Sequence, residues 1–114
     1  MKQFIRVMKA LSDPSRVRVL KLLEDRELCV CEIQQVLGLA QSTVSRHMKL
    51  LEDAGLVDRK RNGTWIIYSL ATGSDVPYGD VMLTHLADWL NDDPELATMY
   101  ARLQQDPPLR PACN

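Results

Sequence analysis

Residues 32–52 read EIQQVLGLAQSTVSRHMKLLE, and this stretch decides the fold. Its apolar residues recur every three or four positions on both sides of Gly38-Leu39-Ala40, which is a turn signal. The spacing predicts a helix, a tight turn and a second helix that begins at Gln41, the pattern of a helix-turn-helix. The predicted buried side of this unit consists of Ile33, Val36, Leu37, Val44, Met48 and Leu51.

Two further helices are predicted before this unit. Apolar residues at helical spacing over Phe4–Leu11 indicate a first helix that ends near Ser12. Asp13-Pro14 then supplies an N-cap and a first-turn proline for a second helix, whose apolar stripe runs over Val17–Leu23. The charged run Glu24–Glu27 breaks that stripe and predicts the end of the second helix.

A β-hairpin is predicted after the helix-turn-helix. Leu56–Arg61 and Thr64–Leu70 flank Asn62-Gly63, a strong hairpin signal in which both turn positions would take a positive φ. Pro77–Asn91 then predicts a long helix, and a last helix is expected from Pro94 to about Gln104. The predicted fold class is therefore mainly α with a two-stranded β wing (α+β), a winged helix-turn-helix.

The length of the chain predicts one small domain that pairs with a second copy. A core built from 114 residues is marginal for a monomer, so we expect a homodimer that pairs through residues around Phe4–Leu11 and Met82–Leu90. The domain is expected to span residues 1–106, and the prolines of residues 107–114 predict an extended tail. No stretch approaches the roughly 18 apolar residues of a membrane span, so we expect a cytoplasmic protein with no membrane partner.

Charge is distributed unevenly along the chain, although its net value is only −1. Residues 1–26 carry seven basic and three acidic side chains, and residues 41–63 carry five and three. Residues 71–114 carry two basic and seven acidic side chains. Because salt screens charges beyond about 8–10 Å, local charge decides whether phosphates are attracted. The basic helix-turn-helix and wing therefore predict double-stranded DNA as a partner.

The expected DNA contacts lie on the second helix of the helix-turn-helix and on the wing. The start of that helix should enter the major groove, with its polar side chains near the bases and Lys49 nearer the backbone. The basic wing suits backbone or minor-groove contact. The full set of expected DNA-contacting residues is Gln41, Ser42, Thr43, Ser45, Arg46, His47, Lys49, Arg59, Lys60 and Arg61. The alternative is that these are solvated surface groups.

Two cysteines, Cys29 and Cys31, directly precede the helix-turn-helix. A reducing compartment keeps them as thiols, and thiolates select soft ions. Positions i and i+2 lie about 200° apart around an α-helix, so an ion shared inside a regular helix would distort its first turn. Cys29 also falls where an N-cap Ser or Thr is usual. The alternative is that both are small buried hydrophobic residues.

The order of these predicted elements and their motifs resembles the ArsR/SmtB family of metal-responsive repressors over roughly residues 1–90. The resemblance rests on Asp13-Pro14-Ser15-Arg16, on Leu28-Cys29-Val30-Cys31-Glu32 and on Gln41–His47. The cysteine run is similar to that of the arsenic-sensing branch. This resemblance implies that As(III) or Sb(III) is the inducer, that Cys29 and Cys31 bind it, and that binding releases an operator. A third thiol of that branch lies three residues after the second, where this chain has Gln34.

The third position of the bound ion is therefore open, and Cys113 is the remaining thiol of the chain. Recruiting Cys113 would close a loop of more than eighty residues or cross the dimer, which costs conformational entropy. We expect that Cys29 and Cys31 suffice and that a small-molecule thiol or water fills the third position.

Two other functions stay open at this point. The same cysteines suit a repressor that responds to thiol oxidation, through a disulfide or a sulfenic acid. A winged helix that binds only protein is the second alternative. An enzyme is not expected, because the sequence has no Gly-rich phosphate loop, no Cys-x-x-Cys pair and no evident catalytic Ser/His/Asp set.

Overall fold

The computed structural model describes residues 1–73 and 77–104 of the chain. Within these residues it contains six helices and three strands. In chain order they are α1 (Lys2–Ala10), α2 (Pro14–Leu23), β1 (Leu28–Cys29), α3 (Val30–Leu37), α4 (Gln41–Asp53), β2 (Val57–Asn62), β3 (Trp65–Leu70), α5 (Pro77–Leu86) and α6 (Pro94–Leu103). The tail predicted at residues 107–114, with Cys113, lies outside the described residues. No helix in the described ranges is long and apolar enough to cross a bilayer.

The helix-turn-helix is confirmed as α3, a turn and α4. Gly38 ends α3 with a φ of +67°, a left-handed conformation that glycine adopts without steric cost. Of the predicted buried residues, Leu37 is partly buried and the other five are buried. They join one hydrophobic core that extends from Val7 in α1 to Leu103 in α6. The packing of α3 against α4 fixes the position of the second helix in the unit.

The sheet has one more strand than the two-stranded wing predicted from the sequence. Its strand order is β1-β3-β2, and both pairs are antiparallel. In the extra pair, Leu28 faces Tyr68 and Cys29 faces Ile67. A two-residue strand is too short to show an alternating pattern, and its partner lies about forty residues away, so local sequence gave no signal for it. This pairing connects the cysteine segment directly to the wing.

The hairpin is confirmed, but its turn lies one residue later than predicted. Asn62 pairs with Trp65 and belongs to β2, which leaves Gly63 and Thr64 as the two-residue loop. Gly63 has a φ of +63° and supplies the left-handed position that the turn needs. The expectation that Asn62 occupies the turn is therefore wrong, because cross-strand pairing extends to it.

The long helix predicted over Pro77–Asn91 ends early, at Leu86. The next residues form turns, and Leu90 has a φ of +62°, which an α-helix cannot accommodate. Lys21 of α2, whose side chain is 1% exposed, donates from Nζ to the Leu86 carbonyl oxygen at 2.7 Å. This contact satisfies a carbonyl at the end of α5, where a cation is also favoured by the helix dipole.

Helices α1 and α5 pack together and leave an apolar face exposed. The rings of Phe4 and Tyr78 meet edge to face with centroids 5.5 Å apart. Phe4, Ile5, Tyr78 and Val81 are 39–53% exposed, which is unusual for large apolar side chains on neighbouring helices. This α1–α5 face coincides with the first segment, and adjoins the second, that the sequence predicts for pairing.

Candidate DNA-binding and thiol site

The start of α4 presents polar side chains to solvent, as predicted. Gln41, Ser42, Ser45, Arg46 and Lys49 are exposed, and Thr43 is half-buried. The opposite side of the helix packs Val44, Met48 and Leu51 into the core. Burial of that side fixes the rotation of α4 about its axis, so the polar side chains must point to solvent. The geometry is that of a helix suited to reading a groove.

The cations of the wing are exposed and partly paired within the protein. Lys60 Nζ lies 3.1 Å from Glu27 Oε2, and Arg59 Nε lies 3.7 Å from Glu52 Oε2. On α4, Lys49 Nζ lies 3.2 Å from Asp53 Oδ1. Exposed pairs of this kind contribute at most about 1 kcal/mol, so phosphates compete with them readily. Side chains alternate along β2, so Lys60 points to the face opposite Arg59 and Arg61.

His47 is the one member of the predicted DNA-contacting set that the structure places inside the protein. Its exposed fraction is 8%, and its Nδ1 lies 3.0 Å from Nη1 of Arg16. Position 47 follows Val44 by three residues and precedes Leu51 by four, so it lies on the inner face of α4. The expectation that His47 is an exposed polar side chain is therefore wrong, and its buried position argues against a contact with phosphate.

Cys29 ends β1 and is the N-cap of α3, as the sequence predicts. Its side chain is 1% exposed. A capping box closes this helix end: the sulfur faces the Glu32 N–H, and Glu32 Oε1 accepts the Cys29 N–H at 3.0 Å. Glu32 is itself buried, and its Oε2 lies 3.7 Å from Nη2 of Arg26. The Cys29 sulfur is thus part of the start of α3.

Cys31 lies in the first turn of α3 and is half-buried. Its sulfur accepts a long hydrogen bond of 3.7 Å from Nε2 of Gln35. Cys31 is disulfide-bonded in the structure, so a thiolate at this position requires the reduced protein.

A cleft of about 550 Å³ brings the cysteines, α4 and the wing together. Cys29, Cys31 and Gln34 form one part of its lining, and α4 contributes Gln41, Ser45 and Lys49. The wing contributes Arg59, Trp65 and Tyr68 among others. Burial beside this cleft raises the pKa of the Tyr68 phenol and keeps it neutral. Residues expected to bind an ion and residues expected to bind DNA therefore share one cavity.

The sequence anticipates only part of this arrangement. Glu32 lies three residues after the N-cap, which is the spacing of a capping box, so its role was detectable. The wall formed by Trp65 and Tyr68 was not detectable, because it depends on the pairing of β1 with β3. Among the described residues, no three His, Cys, Asp or Glu side chains lie close enough to hold a metal. Cys29, Cys31 and Gln34 line the same cleft, and the expectation that the two cysteines bind an ion stays a prediction.

Several known proteins with similar sequences are transcriptional regulators. Residues 13–59 match the description "bacterial regulatory protein, arsR family". The arsenic resistance transcriptional regulator ArsR1 of Pseudomonas putida is 39% identical over 105 residues, which cover 86% of this chain and 80% of that protein. An arsenical resistance operon repressor of Staphylococcus xylosus is 42% identical over 69 residues, or 60% of this chain and 66% of that protein.

Solved structures support the same grouping. The homodimeric winged helix-turn-helix domain of Mb0332 from Mycobacterium bovis, described as a possible ArsR-family regulator, has a TM-score of 0.62 at 34% identity. The match covers 76% of this chain and 80% of that one. The winged helix-turn-helix fold is confirmed, and the relatives are transcriptional regulators rather than enzymes. With this fold and these relatives, the chain belongs to the ArsR family of DNA-binding transcriptional repressors.

Proposed function

We propose that the protein represses transcription as a homodimer on a palindromic operator and releases the DNA when trivalent arsenic or antimony binds Cys29 and Cys31. The observation that carries this proposal is the shared cleft, in which both cysteines lie beside residues of α4 and the wing that we expect to contact DNA. Relatives named for arsenic resistance support a metalloid as the inducer.

The chemistry of the two cysteines favours a soft, trivalent ion. Thiolates select such ions over the hard cations that carboxylates and carbonyls prefer. In the reduced protein Cys29 and Cys31 supply two sulfurs, and the cleft is open to a third donor from solution. We expect a small-molecule thiol or water to fill that position, with Cys113 not required.

Binding is coupled to the DNA surface through the start of α3. Cys29 cannot both cap α3 and share an ion with Cys31 in the present geometry, because the ion draws the two sulfurs together. Loss of an N-cap costs about 1 kcal/mol, and allosteric coupling is typically 1–3 kcal/mol. Movement of Cys29 also strains its pairing with Ile67 in β3, which reaches the wing. The ion therefore favours a conformation in which α4 and the wing no longer fit one groove.

Pairing through the α1–α5 face supplies the symmetry that the operator needs. A two-fold dimer buries the same apolar patch of each protomer and places two α4 helices on successive major grooves. The exposed Phe4, Ile5, Tyr78 and Val81 suit such a patch.

The test begins with an operator selected by the reduced protein from a random DNA library. Fluorescence anisotropy then follows release by arsenite, with a phosphine as the reductant so that no added thiol competes. We expect release from the wild type and retention by Cys29→Ser and Cys31→Ser. Release by peroxide but not by arsenite would support the redox repressor instead. Failure to select any DNA would support the protein-binding alternative.

A further inference from the structure

Arg16 makes a set of contacts that joins three helices. It lies in the first turn of α2, where the Asp13 carboxylate accepts the Ser15 and Arg16 N–H groups at 2.9 and 3.2 Å. Its guanidinium donates from Nε to the Ala10 carbonyl oxygen at 2.8 Å and from Nη2 to the Lys9 carbonyl oxygen at 3.0 Å. Those carbonyls end α1, so Arg16 caps one helix while it starts another.

The third contact of Arg16 reaches α4 and fixes the protonation state of His47. Nη1 lies 3.0 Å from His47 Nδ1. A guanidinium has donors and no acceptor, so Nδ1 must accept this hydrogen bond. The imidazole is therefore neutral, with its hydrogen on Nε2. A hydrogen on Nδ1 would place two donors face to face in a buried position, and in the imidazolium it would add a second positive charge beside the guanidinium.

We propose that the Arg16–His47 hydrogen bond is a positioning contact that holds α4 at its DNA-reading angle relative to α1, and that operator binding requires neutral His47. The contact runs from the end of α1, which carries part of the exposed apolar face, to the residue next to Arg46. It therefore connects the helix expected to pair the protomers with the helix expected to read DNA. The inference rests on the proposed operator binding and adds a role for two residues that do not contact DNA.

Burial opposes the protonation of His47, and the charged groups around it act in both directions. Burial is the largest cause that lowers the pKa of His47, and the cations Arg16 and Arg46 lower it further. Asp13 acts in the opposite direction. Arg6 and Lys9 of α1 and Asp53 of α4 line the adjacent cleft together with Arg16. The neutral ring is thus favoured mainly by burial.

The direction of the pH effect follows from this depressed pKa. The unfolded chain takes up the proton near its usual value of about 6.5, and the folded protein does so only at lower pH. The contact is fully present above about pH 6.5 and is lost as the pH falls through the pKa of the folded state. Operator affinity should fall over the same range.

The experiment measures operator affinity by anisotropy from about pH 7.5 to 5.5 for the wild type and two variants of His47. His47→Asn places a non-titrating oxygen near the position of Nδ1, whereas His47→Leu keeps the bulk and cannot accept. At about pH 7.5 we expect the Asn variant to bind within about threefold of the wild type and the Leu variant about tenfold more weakly. On acidification the wild type should lose several-fold more affinity than the Asn variant.

Controls separate this contact from the operator proposal itself. His85→Asn removes the other histidine and should keep the acid-induced loss. The long-range nitrogen NMR spectrum of the free protein should show His47 as the Nε2–H tautomer, which needs no DNA. Identical pH profiles for wild type and His47→Asn, or an Nδ1–H tautomer, would overturn the inference. If the Leu variant does not fold, the Asn profile still decides, and a wild type that binds no DNA would instead refute the proposed function.

Discussion

Cys29 has three structural roles in one residue: it ends a strand, caps a helix and lines the cleft. The cap was predictable, because Cys29 stands where Ser or Thr usually begins a helix. The strand was not, because its partner Ile67 is distant in sequence.

The burial of His47 was missed although local sequence carries a signal for it. Its spacing from Val44 and Leu51 places it on the inner face of α4, so the packing pattern predicts its burial better than its polarity does.

Substitution of Cys29 separates its structural role from its proposed ligand role. Cys29→Ser keeps a capping oxygen and should fold as well as the wild type, yet lose release by arsenite. Cys29→Ala also loses the cap and should lower the free energy of unfolding by about 1 kcal/mol. Denaturant unfolding and operator release measure the two effects. A Cys29→Ala variant as stable as the wild type would show that the sulfur does not cap α3.

Helices and strands were predicted well where the apolar spacing within them is sufficient. They were predicted less well where contacts with residues far along the chain determine where they end. The apolar spacing of α3 and α4, the N-cap of α2 and the first-turn Pro94 of α6 were sufficient to locate those helices. The early end of α5 was missed, and the contact made there, from Lys21 to the Leu86 carbonyl, comes from another helix and has no local signal in the sequence. The third strand depends equally on a partner far along the chain.

The wing and α4 should contribute to DNA binding in different ways. Lys60→Ala should reduce the dependence of log affinity on log salt by about one per protomer, since phosphate contacts release counterions. Arg46→Ala should cost about 1–3 kcal/mol with little change in that slope if it reads a base. Glu27→Gln removes only the partner of Lys60 and serves as the control. An unchanged slope in Lys60→Ala would exclude the wing from phosphate contact.

The start of α6 should make part of the stability sensitive to acid. Asp93 is the N-cap of α6, and Nε of Arg18 lies 3.0 Å from its Oδ2. The hydrogen bond from Arg18 holds the pKa of the Asp93 carboxyl below its usual value. Its stabilisation is therefore present above the unfolded pKa and lost as the pH falls through the folded pKa.

Asp93→Asn keeps a capping oxygen and removes the charge. Its melting temperature should fall less steeply than that of the wild type on acidification below about pH 4. Parallel melting curves across this range would show that the Arg18–Asp93 pair contributes nothing to the acid response.

At the scale of the whole molecule, a monomer would leave the apolar α1–α5 face exposed to water, whereas a dimer would bury it. Val81→Glu adds a charge at a position that is 53% exposed, so the protomer should fold normally while the dimer dissociates. Sedimentation should report a monomer, and operator affinity should fall with it. Leu50→Glu alters a side chain of α4 that is 42% exposed and should leave the dimer intact. A dimeric Val81→Glu would place the interface elsewhere.

The most direct test of the proposed switch is to measure ion binding and DNA release in one titration. Arsenite is added to the reduced dimer–operator complex while anisotropy reports DNA and native mass spectrometry reports bound arsenic. We predict complete release at about one arsenic per protomer, in the wild type and in Cys113→Ser alike. If arsenic binds Cys29 and Cys31 at that ratio while the operator stays bound, the coupling between the thiol site and the DNA surface is contradicted.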